Sequence, residues 1–153
     1  MQIGRVISAF QPSGANTFLY FDWSTADTFT INCYKDGAQQ WQLTGAADSR
    51  TNIWVMLALV HDGTPKFYVD GNRWNVTTNN SFNLAATYKT IFHDASNKAN
   101  SLTLGATRLG STTFHPFDGW IAQARIYDIA ITDFSWYMTN THPTNELETT
   151  FGP

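Results

Sequence analysis

Cutting a glycosidic bond takes two carboxyl groups facing each other across a sugar, one to protonate the leaving oxygen and one to act as base or nucleophile. This sequence has two glutamates, Glu146 and Glu148, both near its C-terminal end, and ten aspartates. Asp36, Asp62, Asp70 and Asp118 each directly precede glycine. Asp-Gly suits tight hairpins, because aspartate hydrogen-bonds its own turn and glycine tolerates positive φ. Turn geometry therefore explains these four, and hydrolysis is not expected. His61, His93, His115 and His142 show no i, i+4 pairing or tight cluster that would hold zinc. There is no Gly-x-Ser-x-Gly elbow and no glycine loop to cradle a phosphate. No catalytic residue is assigned, and the protein is not read as an enzyme.

Binding a sugar without cutting it needs aromatic faces more than acids. Trp23, Trp41, Trp54, Trp74, Trp120 and Trp136 are the stacking candidates, with core packing as the competing explanation for each. Trp74 stands apart. It ends "KFYVDGNRW", just after an Asp-Gly turn and just before an Asn-rich stretch. Trp74 is therefore the leading ligand-binding candidate, with Tyr88 and Phe92 as companions.

Charged residues make up only 14% of the chain, against about 25% in an average soluble domain. The polar surface must then rest on Asn, Thr, Ser and Gln, which suits glycans or neighbouring subunits. Nine Lys and Arg are scattered singly and the net charge is −3, so no basic stripe exists to displace phosphate counterions, and nucleic acid is excluded as a partner. No apolar run approaches the roughly 20 residues of a membrane-spanning helix. "MQIGRVISAF" lacks the build of a signal peptide. The lone Cys33 excludes an internal disulfide and reads as a packed strand residue.

Period-two segments dominate the chain: "RVISAF", "TFLYFDW", "TFTINCY", "QQWQL", "IWVMLALVHDG", "KFYVDG", "SLTLGA" and "FDGWIAQARIYD". Each is bounded by turn residues, which predicts short antiparallel strands in an all-β jelly-roll sandwich. "AITDFSWYMTNTHP" predicts one short C-terminal helix, with Thr132 as N-cap and Pro143 as stop. Residues 75–100 predict a long loop or an excursion between strands, and Asn75 and Asn79 open two sequons read as accidental. One domain is expected over 1–143, with a tail over 144–153. The stretch "WVMLALV" is apolar on both faces, so its second face must be covered by another layer of the chain or by a neighbouring subunit.

The segment "IWVMLALVHDGTPKFYVDG" resembles the central signature of laminin-G-like modules in the concanavalin A-like lectin/glucanase superfamily. The matching positions are Trp54, Ala58, Asp62, Gly63, Tyr68, Val69, Asp70 and Gly71. "LTLGA" and "FDGWIAQARIYDIAIT" resemble later parts of the family pattern, the second through Phe117, Gly119, Ile121, Arg125, Ile126, Tyr127, Ala130 and Thr132. The resemblance implies a jelly roll and framework, core roles for Trp54 and Trp120. The Glu-x-Asp-x-x-Glu run of the family's glucanases has no counterpart here. Ala122 and Gln123 stand where the family usually carries acids, so no charge-dependent role is expected there. The resemblance also implies a peripheral strand ahead of "RVISAF" that is missing, shortened or supplied from elsewhere. No cofactor is expected. Calcium is the one ion the resemblance allows, through Asp22, Asp94, Asp118 and Asp128 with Asn97 and Asn100 nearby, but no packed acidic loop is visible.

The function expected is a non-catalytic structural and binding module on the surface of a larger assembly. The favoured setting is a phage virion, as a capsid decoration or tail-fibre protein. Its partners would be neighbouring subunits, as a homo-oligomer or with capsid or tail proteins, and a glycan. The alternative is a carbohydrate-binding or adhesion lectin domain of a secreted protein. Either setting places it outside the cell or on a virion.

Overall fold

Alternation along the first 46 residues becomes four consecutive antiparallel strands: β1 (Ile3–Phe10), β2 (Phe18–Ser24), β3 (Thr28–Lys35) and β4 (Ala38–Ala46). The computed structural model describes residues 3–10, 17–24, 28–46, 54–79, 82–87, 89–96, 98–99, 101–109, 112–114, 116–117, 119–121, 124–127, 129–131 and 133–134. β5 (Leu57–His61), β6 (Pro65–Val69) and the two-residue β7 (Asn72–Arg73) form a second sheet. β8 (Thr77–Asn79) and β9 (Ser101–Leu104) return to the first sheet as its edges, giving the order β8-β4-β3-β2-β1-β9. β10 (Thr107–Leu109) and β11 (Thr112–Phe114) pair as a separate hairpin. The expected all-β sandwich is thus the architecture found.

Two of the Asp-Gly pairs do what their chemistry requires. Asp36 and Gly37 take φ of 50° and 83°, and Asp70 and Gly71 take 48° and 75°. Positive φ at both central residues matches the right-handed twist of the flanking strands, and Asp-Gly tolerates it. These turns fix the β3–β4 and β6–β7 registers.

Period two then sorts the side chains. Phe29, Ile31 and Cys33 of β3, Trp41 and Leu43 of β4, Phe21 of β2 and Ala9 of β1 fall on one face and are buried. The second sheet answers with Phe67 and Val69 of β6. Three rings join the layers: Phe67 sits 4.4 Å from Phe29 and 5.3 Å from Phe21, centroid to centroid. Burying each such ring contributes about 1.5–3 kcal/mol. Cys33 is fully buried, as its place in the alternation implies.

One expectation is narrowed and two change. Residues 75–100 are the excursion between strands rather than a plain loop. They contain β8 and a helical turn, Thr90–Asp94, whose Ile91 is fully buried in the core. Ala86, Ala95 and Ala99 of the same segment are also buried. The Asn-rich composition hid the few apolar residues that anchor the segment. The described part of "FDGWIAQARIYD" forms no strand; its Ile126, and Ile129 just after it, are exposed. Alternation marks which side chains share a face, but a strand exists only where a neighbouring backbone takes its hydrogen bonds. Finally, Trp54 is 37% exposed and Trp120 88% exposed, so neither is core. Trp120 belongs to that same segment, and Trp54 lies just before β5 begins.

The doubly apolar strand finds part of its cover within the chain. Val55 and Leu57 pack on the core, while Phe134 covers the opposite face of the second sheet, its ring 5.0 Å from that of Tyr68. The expected C-terminal helix opens after Thr132, but Asp133 and Phe134, its described residues, are not helical; the rest of it and the tail over 144–153 lie outside the described residues.

Candidate functional site

Trp74 leaves β7 and crosses above Gly45 of β4. A Cβ on Gly45 would meet Phe29 at 2.9 Å and the carbonyl oxygen of Asn75 at 3.0 Å, so only glycine admits this crossing. The Trp74 indole N–H donates to the Ala46 carbonyl at 2.7 Å, and the ring is half-buried against the core. A shallow depression of about 260 Å³ lies here, lined by Arg73, Trp74, Asn75 and Val76. Phe92 sits in the helical turn, also half-buried against the core. That segment is tied to the other end of the β3–β4 hairpin, where Ser96 N–H donates to Asp36 at 3.1 Å. The two ends of β4 are about 26 Å apart at about 3.3 Å per residue. Trp74 and Phe92 are therefore not brought into one platform. Tyr88 lies outside the described residues.

Trp41 is a core residue rather than a stacking surface: its indole N–H donates to the Ala86 carbonyl at 2.8 Å, pinning the 82–99 segment over the hairpin. His61 makes a 2.6 Å hydrogen bond to the Leu84 carbonyl in the same region.

The alternation that fills the core also builds the opposite face of the six-stranded sheet. The register aligns Thr103, Ser8, Tyr20, Asn32, Gln42 and Asn79 in one row across β9, β1, β2, β3, β4 and β8. Every member can donate or accept a hydrogen bond. Asn32 is the centre of the row and only 3% exposed. Its Oδ1 accepts the Nε2 groups of both Gln39 and Gln42, each at 2.9 Å. Its Nδ2 makes no hydrogen bond to any described residue. Gln42 Oε1 and the Tyr34 hydroxyl likewise make none. Asn79 Nδ2 donates to Thr44 Oγ1 at 3.0 Å, continuing the polar surface to the sheet edge.

Beside this row lie half-buried aromatic rings. Phe18 stacks on Tyr34 at 4.3 Å and on Tyr20 at 5.3 Å. The β3–β4 bulge between Cys33 and Tyr34 makes Gln39, not Gln40, the partner of Tyr34, and so brings the Gln39 amide to Asn32. At the far end the row is walled off. The Ser8 and Thr103 hydroxyls lie 2.7 Å from each other and 2.9 and 2.8 Å from the Ala106 carbonyl, so their two protons are shared among these three contacts.

The sequence carried a signal for this face, since Tyr20, Thr30, Asn32, Tyr34, Gln42 and Thr44 occupy the off-core positions of strands already legible. What the sequence withheld was which strands are neighbours.

The acidic groups do not converge. Asp22 lies on this sheet face, while Asp94 pairs with His93, which holds its carboxyl below the usual carboxylate range by hydrogen bonding. Lys66 does the same for Asp62. Among the described residues no three His, Cys, Asp or Glu side chains come together to hold a metal. Asn97, Asn100, Asp118 and Asp128 lie outside them.

Two facing sheets, antiparallel throughout, with a polar and aromatic row on the outer face of the larger, describe a lectin-like sandwich. The chain belongs to the concanavalin A-like lectin/glucanase superfamily: the Laminin_G_3 family model, described as that superfamily, matches residues 2–134. Among solved structures it is similar to the CBM40 domain of the Ruminococcus gnavus IT-sialidase, solved alone and bound to alpha2,3 sialyllactose. Each matches with a TM-score of 0.57 and 18% identity over 77% of this chain. The chain covers 63% of that domain's length. An S-layer domain-containing protein (residues 221-444) of Clostridium thermocellum matches at TM-score 0.40 and 15% identity, over 88% of this chain and 61% of its own. No curated protein matches the sequence.

Proposed function

We propose that this domain is a non-catalytic glycan-binding module whose ligand lies on the outer face of the six-stranded sheet. The observation that carries the reading is Asn32. It is an almost fully buried amide, fixed by two glutamines, with both Nδ2 protons uncommitted to the described protein. Leaving a buried donor unmade costs about 1–3 kcal/mol, so a ligand acceptor there is rewarded. The superfamily and the likeness to a CBM40 fold support the reading. The described carboxyl on this face is Asp22 alone, whereas glycoside hydrolysis needs two, about 5–9.5 Å apart. The depression beside Trp74 is the alternative docking place, without Phe92. A glycan array tests both: hits lost in Asn32→Asp but kept in Trp74→Phe favour the sheet face, and the reverse pattern favours Trp74. An array with no hit removes the reading.

A second reading places the module on the surface of a larger assembly, an extracellular layer or a virion. Composition suggests it, and the exposed Trp120, Ile126 and Ile129 favour it, because neighbouring exposed apolar groups mark interaction surfaces. Mass measurement in solution tests it. A strictly monomeric chain at high concentration, unchanged by Trp120→Ser, counts against assembly through this segment.

A further inference from the structure

The chemistry of the sheet face restricts what kind of glycan it can take. Around Asn32 the available groups are mixed: Asn32 Nδ2 donates, Gln42 Oε1 accepts, and the Tyr34 hydroxyl does either. A sugar hydroxyl both donates and accepts, so sugar hydroxyls suit each of the three. A carboxylate, sulfate or phosphate only accepts. It would satisfy the Asn32 donors but oppose the Gln42 oxygen. Anionic sugars call for a cationic fork, with arginine the usual choice. None of the six row positions carries an arginine or a lysine. The register sets Arg5 opposite Asp22, off the Asn32 row.

The row is also asymmetric. Ser8 and Thr103 spend their hydroxyls on each other and on Ala106, which closes that end. The other end runs out at Asn79 on the edge strand β8. The working stretch therefore spans β2, β3, β4 and β8, strands about 4.8 Å apart, and lies across the strands rather than along one.

Resting on the glycan-binding reading, we infer that the ligand is an uncharged glycan laid across β2, β3, β4 and β8, with the Asn32 amide as its central donor and Gln42 as acceptor. This differs in ligand class from the sialyllactose of the CBM40 structure.

Calorimetric titration with lactose, α2,3-sialyllactose, and neutral hexasaccharides of glucose, xylose, mannose and N-acetylglucosamine tests it, paired with ¹H–¹⁵N NMR of the Asn32 side-chain amide. The expected result is that at least one neutral sugar binds and shifts the Asn32 Nδ2 protons. Sialyllactose then binds no more tightly than lactose. Asn32→Asp weakens the neutral ligand at least tenfold, and Tyr34→Phe, which removes one hydroxyl and keeps the stack on Phe18, weakens it about threefold to tenfold. If Asn32→Asp does not fold, the wild-type amide shift and Tyr34→Phe decide. Sialyllactose binding tenfold tighter than lactose overturns the ligand class but leaves glycan binding standing. A neutral ligand that leaves the Asn32 amide unmoved overturns the placement alone. If no sugar binds, both this inference and the glycan-binding reading fall.

Discussion

Cys33 shows how much a single buried side chain can be made to report. Burial pushes its thiol up to about 12, because the thiolate has no partner to repay its desolvation. The native thiol is therefore expected to resist a disulfide reagent at pH 8, and to react at least ten times faster once the chain is unfolded in guanidinium. Rapid labelling of the folded protein would contradict its placement. The sequence made this residue legible, since it falls on the apolar beat of "TFTINCY". Trp54 and Trp120 were less legible. A tryptophan carries so much apolar area that core is its default reading, and only the pairing of neighbouring backbone decides otherwise. Phe67 is the residue on which the two layers meet, and Phe67→Ala is expected to cost about 3–5 kcal/mol, read as a lowered midpoint in denaturant titration.

Among the elements, the turns were the most readable and the connection over 75–100 the least. Asp-Gly pairs declare themselves because so few residues accept positive φ twice in succession. Gly71, at φ 75°, is expected to tolerate alanine at a cost of about 1–2 kcal/mol, measured as a shift in melting temperature. Gly45→Ala is a different case: the backbone conformation is ordinary, and the cost comes from the Phe29 ring and the Asn75 carbonyl. It should displace Trp74 and show as a changed tryptophan emission, an effect Gly71→Ala should not share. The 75–100 connection resisted reading because its anchors are non-local. The Ala86 carbonyl meets Trp41, the Leu84 carbonyl meets His61, and the Ser96 amide meets Asp36. None of these contacts leaves a local pattern. Trp41→Phe keeps most of the ring but strips the Ala86 carbonyl of its donor. It should cost about 1–3 kcal/mol and increase hydrogen exchange in residues 82–99 more than in β2 or β3.

Across the whole molecule, strand count and alternation gave the sandwich, while the binding face emerged only from neighbour order. Asn32, Gln42 and Tyr20 are each ordinary polar strand residues in the linear chain. They become a site because β2, β3 and β4 follow one another in one sheet. The same order separates Trp74 from Phe92, which the linear spacing had grouped.

The outermost pairing of that sheet has a consequence for biosynthesis. β1, residues 3–10, can hydrogen-bond to β2 as soon as that hairpin leaves the ribosome, yet its other side waits for residues 101–104. Until residues 101–104 have been translated, one flank of β1 stays open to strangers. A nascent chain stalled before residue 101 should therefore be the species most dependent on chaperones.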